Sequence, residues 1–192
     1  MDDAIVATEQ AIAEGRDAIH DLRPQASAES DLEQLLTTAG HELAALQDGN
    51  RQSAAFRVIV EGEAQKLLPM LQDEVYRIGR EVIRNAFRHA SAAHIEVEIR
   101  YDERQLRLRI RDDGKGIEPN LLQGGSGSAG HWGLPGIRER AQRIGAKLDF
   151  WSEVEAGTEV ELTVPGKLGY ETARDGSRFR LFRMAGKHEQ RS

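Results

Sequence analysis

The chain has 192 residues, 39% hydrophobic and 30% charged, with a formal net charge of -6 and no cysteine. That length supports one domain with a continuous core plus an accessory segment, and the lack of thiols excludes disulfides and thiolate metal sites and suits a reducing cytoplasm. The acidic balance argues against a surface for nucleic acid, and no apolar run approaches the roughly 20 residues that span a bilayer, so no membrane contact by this segment is expected.

Over residues 2–23, Ile5, Ile12 and Ile19 recur at heptad spacing and Leu22 continues the stripe until Pro24 stops the helix. Ser30 and Glu33 then form a capping-box pattern ahead of Leu32, Leu35, Leu36, Ala39, Leu43 and Leu46 at helical spacing, which predicts a second helix. Residues 1–48 are therefore read as a helical segment. The β-branched run from Phe56 to Val60 predicts a strand, followed by a polar turn at Glu61-Gly62-Glu63. A long helix follows, its buried stripe Leu67, Leu71, Val75, Ile78, Val82 and Ala86, with Glu74, Arg77, Glu81, Asn85 and Arg88 along its edge.

Ile95, Val97 and Ile99, then Leu106, Leu108 and Ile110 across a turn at Asp102-Glu103, have the period-2 alternation of an antiparallel hairpin. Residues 114–130 read as a long loop and 137–144 as a short helix. A last hairpin places Leu148 and Phe150 on one strand and Val160, Leu162 and Val164 on the other, joined across Gly157-Thr158. Beyond residue 166, Arg174, Arg178, Arg180, Arg183, Lys187 and Arg191 outnumber Glu171, Asp175 and Glu189, a basic tail over residues 167–192. The pattern predicts a two-layer α/β sandwich, a mixed, largely antiparallel sheet packed on helices, over residues 49–166.

Three polar clusters fall at the ends of apolar elements, where such a sandwich places a pocket. In the first, Glu81, Asn85 and His89 stack along one helical face, with Arg88 beside them. An amide oxygen is a suitable hard ligand for magnesium, and a guanidinium suits phosphate. In the second, Asp112-Asp113-Gly114-Lys115-Gly116-Ile117 ends a strand. Glycines allow close approach to a flat ligand, and a carboxylate accepts from an exocyclic amine. The third, Gly130-His131-Trp132-Gly133-Leu134-Pro135-Gly136-Ile137, runs into a helix start whose free N–H groups suit phosphate oxygens. Each pattern alone also fits an ordinary helix edge, turn or loop.

In order and spacing the three clusters resemble the N box and glycine boxes of the histidine-kinase-type ATPase superfamily, and Gly157-Thr158 is similar to its closing Gly-Thr motif. The likeness covers about residues 56–165, and residues 133–141 resemble the sensor kinases related to the nitrate sensors. The resemblance implies a Bergerat-type ATP-binding fold with ATP and Mg2+ as its cofactors. It implies that Asn85 ligates magnesium, that Glu81 orients or deprotonates a water or the acceptor, and that Arg88 and His89 contact phosphates or ribose. It further implies that Asp112 recognises the adenine amine, that Gly114, Gly116 and Ile117 shape that wall with support from the Thr158 hydroxyl, and that Gly133, Leu134 and Gly136 line the phosphates under a mobile lid from about residue 118 to 132.

The implied activity is transfer of the γ-phosphoryl group to a histidine for relay to a response regulator. The heptad helix resembles the second helix of a dimerisation and phosphoacceptor hairpin, which makes a second copy of the chain a candidate partner. The first hairpin helix has no counterpart in the sequence. His20-Asp21 imitates its phosphoacceptor motif, yet Pro24 follows at once and the motif's glutamine is missing, so the resemblance implies an acceptor hairpin elsewhere, in cis or in trans. Two alternatives stay open: a nucleotide-binding signalling module without kinase activity, and an ATPase of another branch of the superfamily.

Overall fold

The computed structural model describes residues 31–46, 54–117 and 134–171. The heptad helix with His20, the capping Ser30, residues 118–133 with Gly133, and the basic tail from residue 172 lie outside the described residues. Those described from Leu32 onward belong to one compact unit.

Both predicted hairpins form. Strands β2 (His94–Tyr101) and β3 (Gln105–Asp112) pair antiparallel, with Val97 opposite Ile110 and Ile99 opposite Leu108. Their alternate residues Ile95, Val97, Ile99, Leu106, Leu108 and Ile110 are all buried. Each such side chain contributes about 1.5–3 kcal/mol of burial. Strands β4 (Lys147–Glu153) and β5 (Gly157–Pro165) form the second hairpin. Its reversal runs through residues 154–156, so Gly157 and Thr158 open β5 and already pair with Glu153 and Ser152, instead of forming the turn itself as expected.

The sheet order is β1-β2-β3-β5-β4, where β1 spans Ala55–Glu61. All pairings are antiparallel except β1 with β2. A parallel neighbour demands a crossover, which the long helix α2 (Pro69–Asn85) supplies. The helix starts after Leu67, which forms an isolated bridge with Tyr170, and Pro69 suits its first turn because its missing N–H would have no helical partner there.

Helices α1 (Leu32–Ala45), α2 and α3 (Leu134–Arg143) form the second layer. Leu36, Val75, Ile78 and Ile83 are at most 1% exposed in the resulting core. The helix read as the end of the N-terminal helical segment thus packs into the sheet domain, and its Leu32 and Leu36 belong to that core. A short helix α4 (Gly166–Gly169) and the hydrogen bond from Glu171 N–H to Lys66 O, 2.8 Å, carry the ordered chain past residue 166.

The other sheet face is charged. Arg57 pairs with Glu96, Arg109 with Glu98 and Arg107 with Glu161, continuing the alternation that buries the opposite residues. Such surface pairs contribute about 0–1 kcal/mol each, so the apolar face, not the ladder of charges, holds the sheet.

One departure bears directly on the site. After Asn85 the helix widens into a π turn over Ala86–Ala90, ending at Ser91 with φ 52°. Regular helical spacing therefore stops at Asn85.

Candidate functional site

An open cleft of about 460 Å3, solvent at its mouth included, lies between the end of α2, the start of α3 and the sheet. Asn85 reaches it from the last residue of α2, Asp112 from the end of β3, Gly116 and Ile117 from the loop after β3, Leu134 from the start of α3 and Thr158 from β5. Six of the twelve residues singled out from the sequence thus meet in one concavity.

Asp112 is 6% exposed and is the one buried charged residue among those described. Burial raises its pKa above that of an ordinary carboxyl, against the opposing effect of N–H donors from Gly114 and Thr158. The Gly114 N–H lies 2.9 Å from Asp112 Oδ1. Gly114 therefore does not line the cleft but holds the carboxylate that does. A Cβ at residue 114 would lie 2.3 Å from Ala90 O, and one at Gly116, where φ is +68°, would lie 2.0 Å from Glu153 O. Only glycine lets this loop lie between the π turn and the last hairpin.

The loop is fastened at both sides. Lys115 N–H donates to Ala90 O at 2.8 Å and Glu155 N–H to Lys115 O at 2.9 Å. Asp113 Oδ1 accepts the N–H groups of Ala93 and His94, each at 2.8 Å, while Oδ2 lies 2.7 Å from His94 Nδ1.

Of the other predicted residues, Glu81, Arg88, His89 and Gly136 are not in the lining. Glu81 Oε1 accepts a 2.6 Å hydrogen bond from Arg84 Nη2. Arg88 is exposed and His89 half-buried, both on the π turn, so the expected stacking of Glu81, Asn85 and His89 on one helical face does not continue past Asn85. Gly136 lies on α3, where an added Cβ would meet nothing within 4 Å.

The sequence reading missed the flat apolar walls of the cleft, built by Val82, Ala86, Ile110, Phe150 and Val160. Their alternation marked them as core, and nothing in that pattern separates a wall from an interior. It also missed Ser152, whose Oγ accepts the Ile117 N–H at 2.8 Å. Glu74, read from the sequence only as part of the polar edge of α2, pairs with Arg140 at 3.2 Å and Arg143 at 3.4 Å on α3 and so ties together the two helices that flank the cleft.

Residues 70–168 match the family of histidine kinase-, DNA gyrase B- and HSP90-like ATPases. The chain belongs to this family. It is accordingly an ATP-binding domain, and the match runs from the start of α2 to α4, taking in the whole cleft.

Among relatives of this ATPase domain, the sensor histidine kinase LiaS of Bacillus subtilis is 34% identical over 95 residues, 50% of this chain and 25% of that protein. The sensor protein VraS of Staphylococcus aureus is 32% identical over 117 residues, 60% of this chain and 32% of that protein. The chain thus spans a quarter to a third of the length of these relatives. Among solved structures, the histidine kinase domain of a blue-light-activated histidine kinase from Erythrobacter litoralis superposes with a TM-score of 0.53 at 24% identity, covering 70% of this chain and 61% of that one, and shares its fold. Among the described residues, no helix is long and apolar enough to cross a membrane.

Proposed function

We propose that the chain is the ATP-binding catalytic part of a two-component sensor histidine kinase, holding ATP in the cleft and delivering its γ-phosphoryl group to a histidine imidazole. The convergence of Asn85 and Asp112 on one cavity carries this reading, because it brings a hard amide ligand and a buried carboxylate to the lining of a single cleft. The donor set fits that ligand. Ile110, Ile117 and Val160 offer apolar walls to a flat base, and Asp112 is an acceptor already held by two N–H groups.

Asp112 accepts from the adenine amine, Gly114 holds its carboxylate through the backbone N–H, and Gly116 shapes the wall beside it. Leu134, at the start of α3, lies where free N–H groups meet phosphate oxygens, with Gly133 and Gly136 as its neighbours in that role. Among the described residues no three acids or imidazoles gather as a metal cage, which suits an ion held chiefly through phosphates, with the Asn85 amide oxygen as its protein ligand. Magnesium, when bound, supplies charge neutralisation on those oxygens.

In the transfer, an imidazole nitrogen forms a bond to the γ-phosphorus as the bond to the β–γ bridging oxygen breaks. ADP leaves with the electron pair, and the imidazole proton passes to a base. Glu81 takes that proton or orients its acceptor once its pairing with Arg84 opens, and Arg88 and His89 reach phosphates or ribose from the π turn. The protein's share is positioning and electrostatics, because the loose transition state needs little covalent help.

The acceptor is a histidine hairpin supplied in cis or in trans, the next partner is a response regulator, a second copy of the chain is a further partner through the heptad helix, and the compartment is the cytoplasm. Mixing the chain with a purified acceptor hairpin, magnesium and γ-labelled ATP tests this. Label on the hairpin histidine is the expected result. Tight ATP binding with no transfer to any acceptor offered would instead identify a module that signals by nucleotide binding alone.

A further inference from the structure

Ser152 on β4 belongs to none of the motifs that drew attention to the cleft, yet its hydroxyl has three partners there. It accepts the Ile117 N–H at 2.8 Å, donates to Gly157 O at 3.1 Å and lies 3.1 Å from Thr158 Oγ1. A serine hydroxyl has one proton and two acceptor positions. With the proton on the Gly157 carbonyl and one acceptor position on Ile117 N–H, the contact to Thr158 has a single remaining polarity: Thr158 donates and Ser152 accepts. The Thr158 proton is thereby turned away from the ligand, and the lone pairs of Oγ1 remain for the cleft that Thr158 lines.

Thr158 is the register partner of Asp112 across β3 and β5, and Ser152 is the register partner of Thr158 across β4 and β5. Ser152, Thr158 and Asp112 thus stand in one row across three strands. We infer that Ser152 is a positioning residue for base recognition: by fixing the Thr158 proton it makes Thr158 a second acceptor beside Asp112, and the two together select a purine with an exocyclic amine over one with an oxo group. An amine carries two N–H donors for two acceptors. An oxo purine keeps one donor there, its ring N1–H, but brings a third acceptor into the same corner. At most one of the two protein acceptors is then paired, and Thr158 can turn its proton toward the oxo group only by releasing Ser152. Unpaired acceptors in a desolvated site are what discriminate against a ligand lacking the matching donor.

This inference rests on the cleft being the ATP site. The test measures dissociation constants of the whole chain for ATP and for inosine triphosphate, which carries an oxo group in place of the amine, in parent, Ser152→Ala, Thr158→Val and the double variant. The parent is expected to prefer ATP. Each single variant is expected to reduce that preference roughly three- to tenfold, the range for one hydrogen bond, and the double variant no further than Thr158→Val. A purely structural role for Ser152 would weaken both nucleotides together and leave their ratio at the parent value, which would overturn the inference, as would losses that multiply in the double variant. Should Ser152→Ala not fold, Ser152→Cys, whose thiol is a weak donor and acceptor, takes its place with the same expected loss of preference, and an unchanged ratio in it or in Thr158→Val overturns the inference. A parent that binds neither nucleotide defeats the assignment of the cleft itself, a result distinct from a parent that binds and discriminates while its variants do so equally.

Discussion

Asp112 and Asp113 are consecutive residues whose carboxyl pKa values are shifted in opposite directions, because one is buried at the wall of the cleft and the other clamps the start of β2 from the outside. Burial raises the first. For the second, desolvation is the largest single influence and pushes upward, but the hydrogen bonds from the His94 ring and from the N–H groups of His94 and Ala93 together outweigh it, and the pKa is lowered.

Asp112→Asn is expected to separate stability from binding. A carboxyl with a raised folded pKa favours folding below its unfolded pKa, and that contribution is lost as pH rises through the folded value. Removing the charge therefore leaves thermal stability at pH 7 equal to or above that of the parent, an advantage that grows from acid toward neutral pH. The affinity for ATP falls by roughly 1–3 kcal/mol as a charge-assisted hydrogen bond is lost. Melting curves across pH and calorimetric titration with ATP check the two halves.

Asp113→Ala is expected to do the reverse. It removes two hydrogen bonds to backbone N–H groups and destabilises by about 1 kcal/mol at pH 7, with base recognition little changed. Since the folded pKa of Asp113 is lowered, its contribution is complete above the unfolded carboxyl pKa of about 3.9 and lost as pH falls through the folded value. The gap between parent and variant in denaturant midpoints should close in that acid window.

Two glycines respond oppositely. Gly116→Ala, at φ +68° and against Glu153 O, should destabilise by about 1–3 kcal/mol. Gly136→Ala has open space and a helical setting, so it should stabilise by up to about 1 kcal/mol, while ATP affinity falls because a methyl now stands where phosphates approach bare backbone. A stabilised variant with parental affinity would remove Gly136 from the phosphate site.

Asn85→Ala should lower the increment in ATP affinity that magnesium confers, because it removes the oxygen proposed as the metal's protein ligand. Titrations with and without magnesium read this directly, and an unchanged increment would exclude Asn85 as the metal ligand.

Much of this architecture was legible because its signals are local. The alternation of Ile95, Val97 and Ile99 against Leu106, Leu108 and Ile110 specifies a hairpin and its buried face at once, and Asp112 and Thr158 follow from the strands that carry them. What stayed hidden depends on residues distant in the chain. The parallel docking of β1 is decided across α2, and the packing of α1 onto the sheet by contacts its stripe does not name. The π turn at Ala86–Ala90 leaves no trace in a pattern read at 3.6 residues per turn, so the placement of His89 followed the wrong period. Ser152 was invisible for another reason: a single hydroxyl on a half-buried strand acquires meaning only when Ile117, Gly157 and Thr158 gather round it.

The lone parallel pairing also bears on how the sheet opens. β2 with β3, and β4 with β5, close over short turns, whereas Ala55 must find His94 across an entire intervening helix, at a far greater loop-closure entropy. At the rim of the sheet, with a strand partner on one side alone, β1 is expected to open before the central β3. Its amide protons should exchange with solvent ahead of those in the central β3, leaving the walls of the cleft intact while this border strand comes and goes.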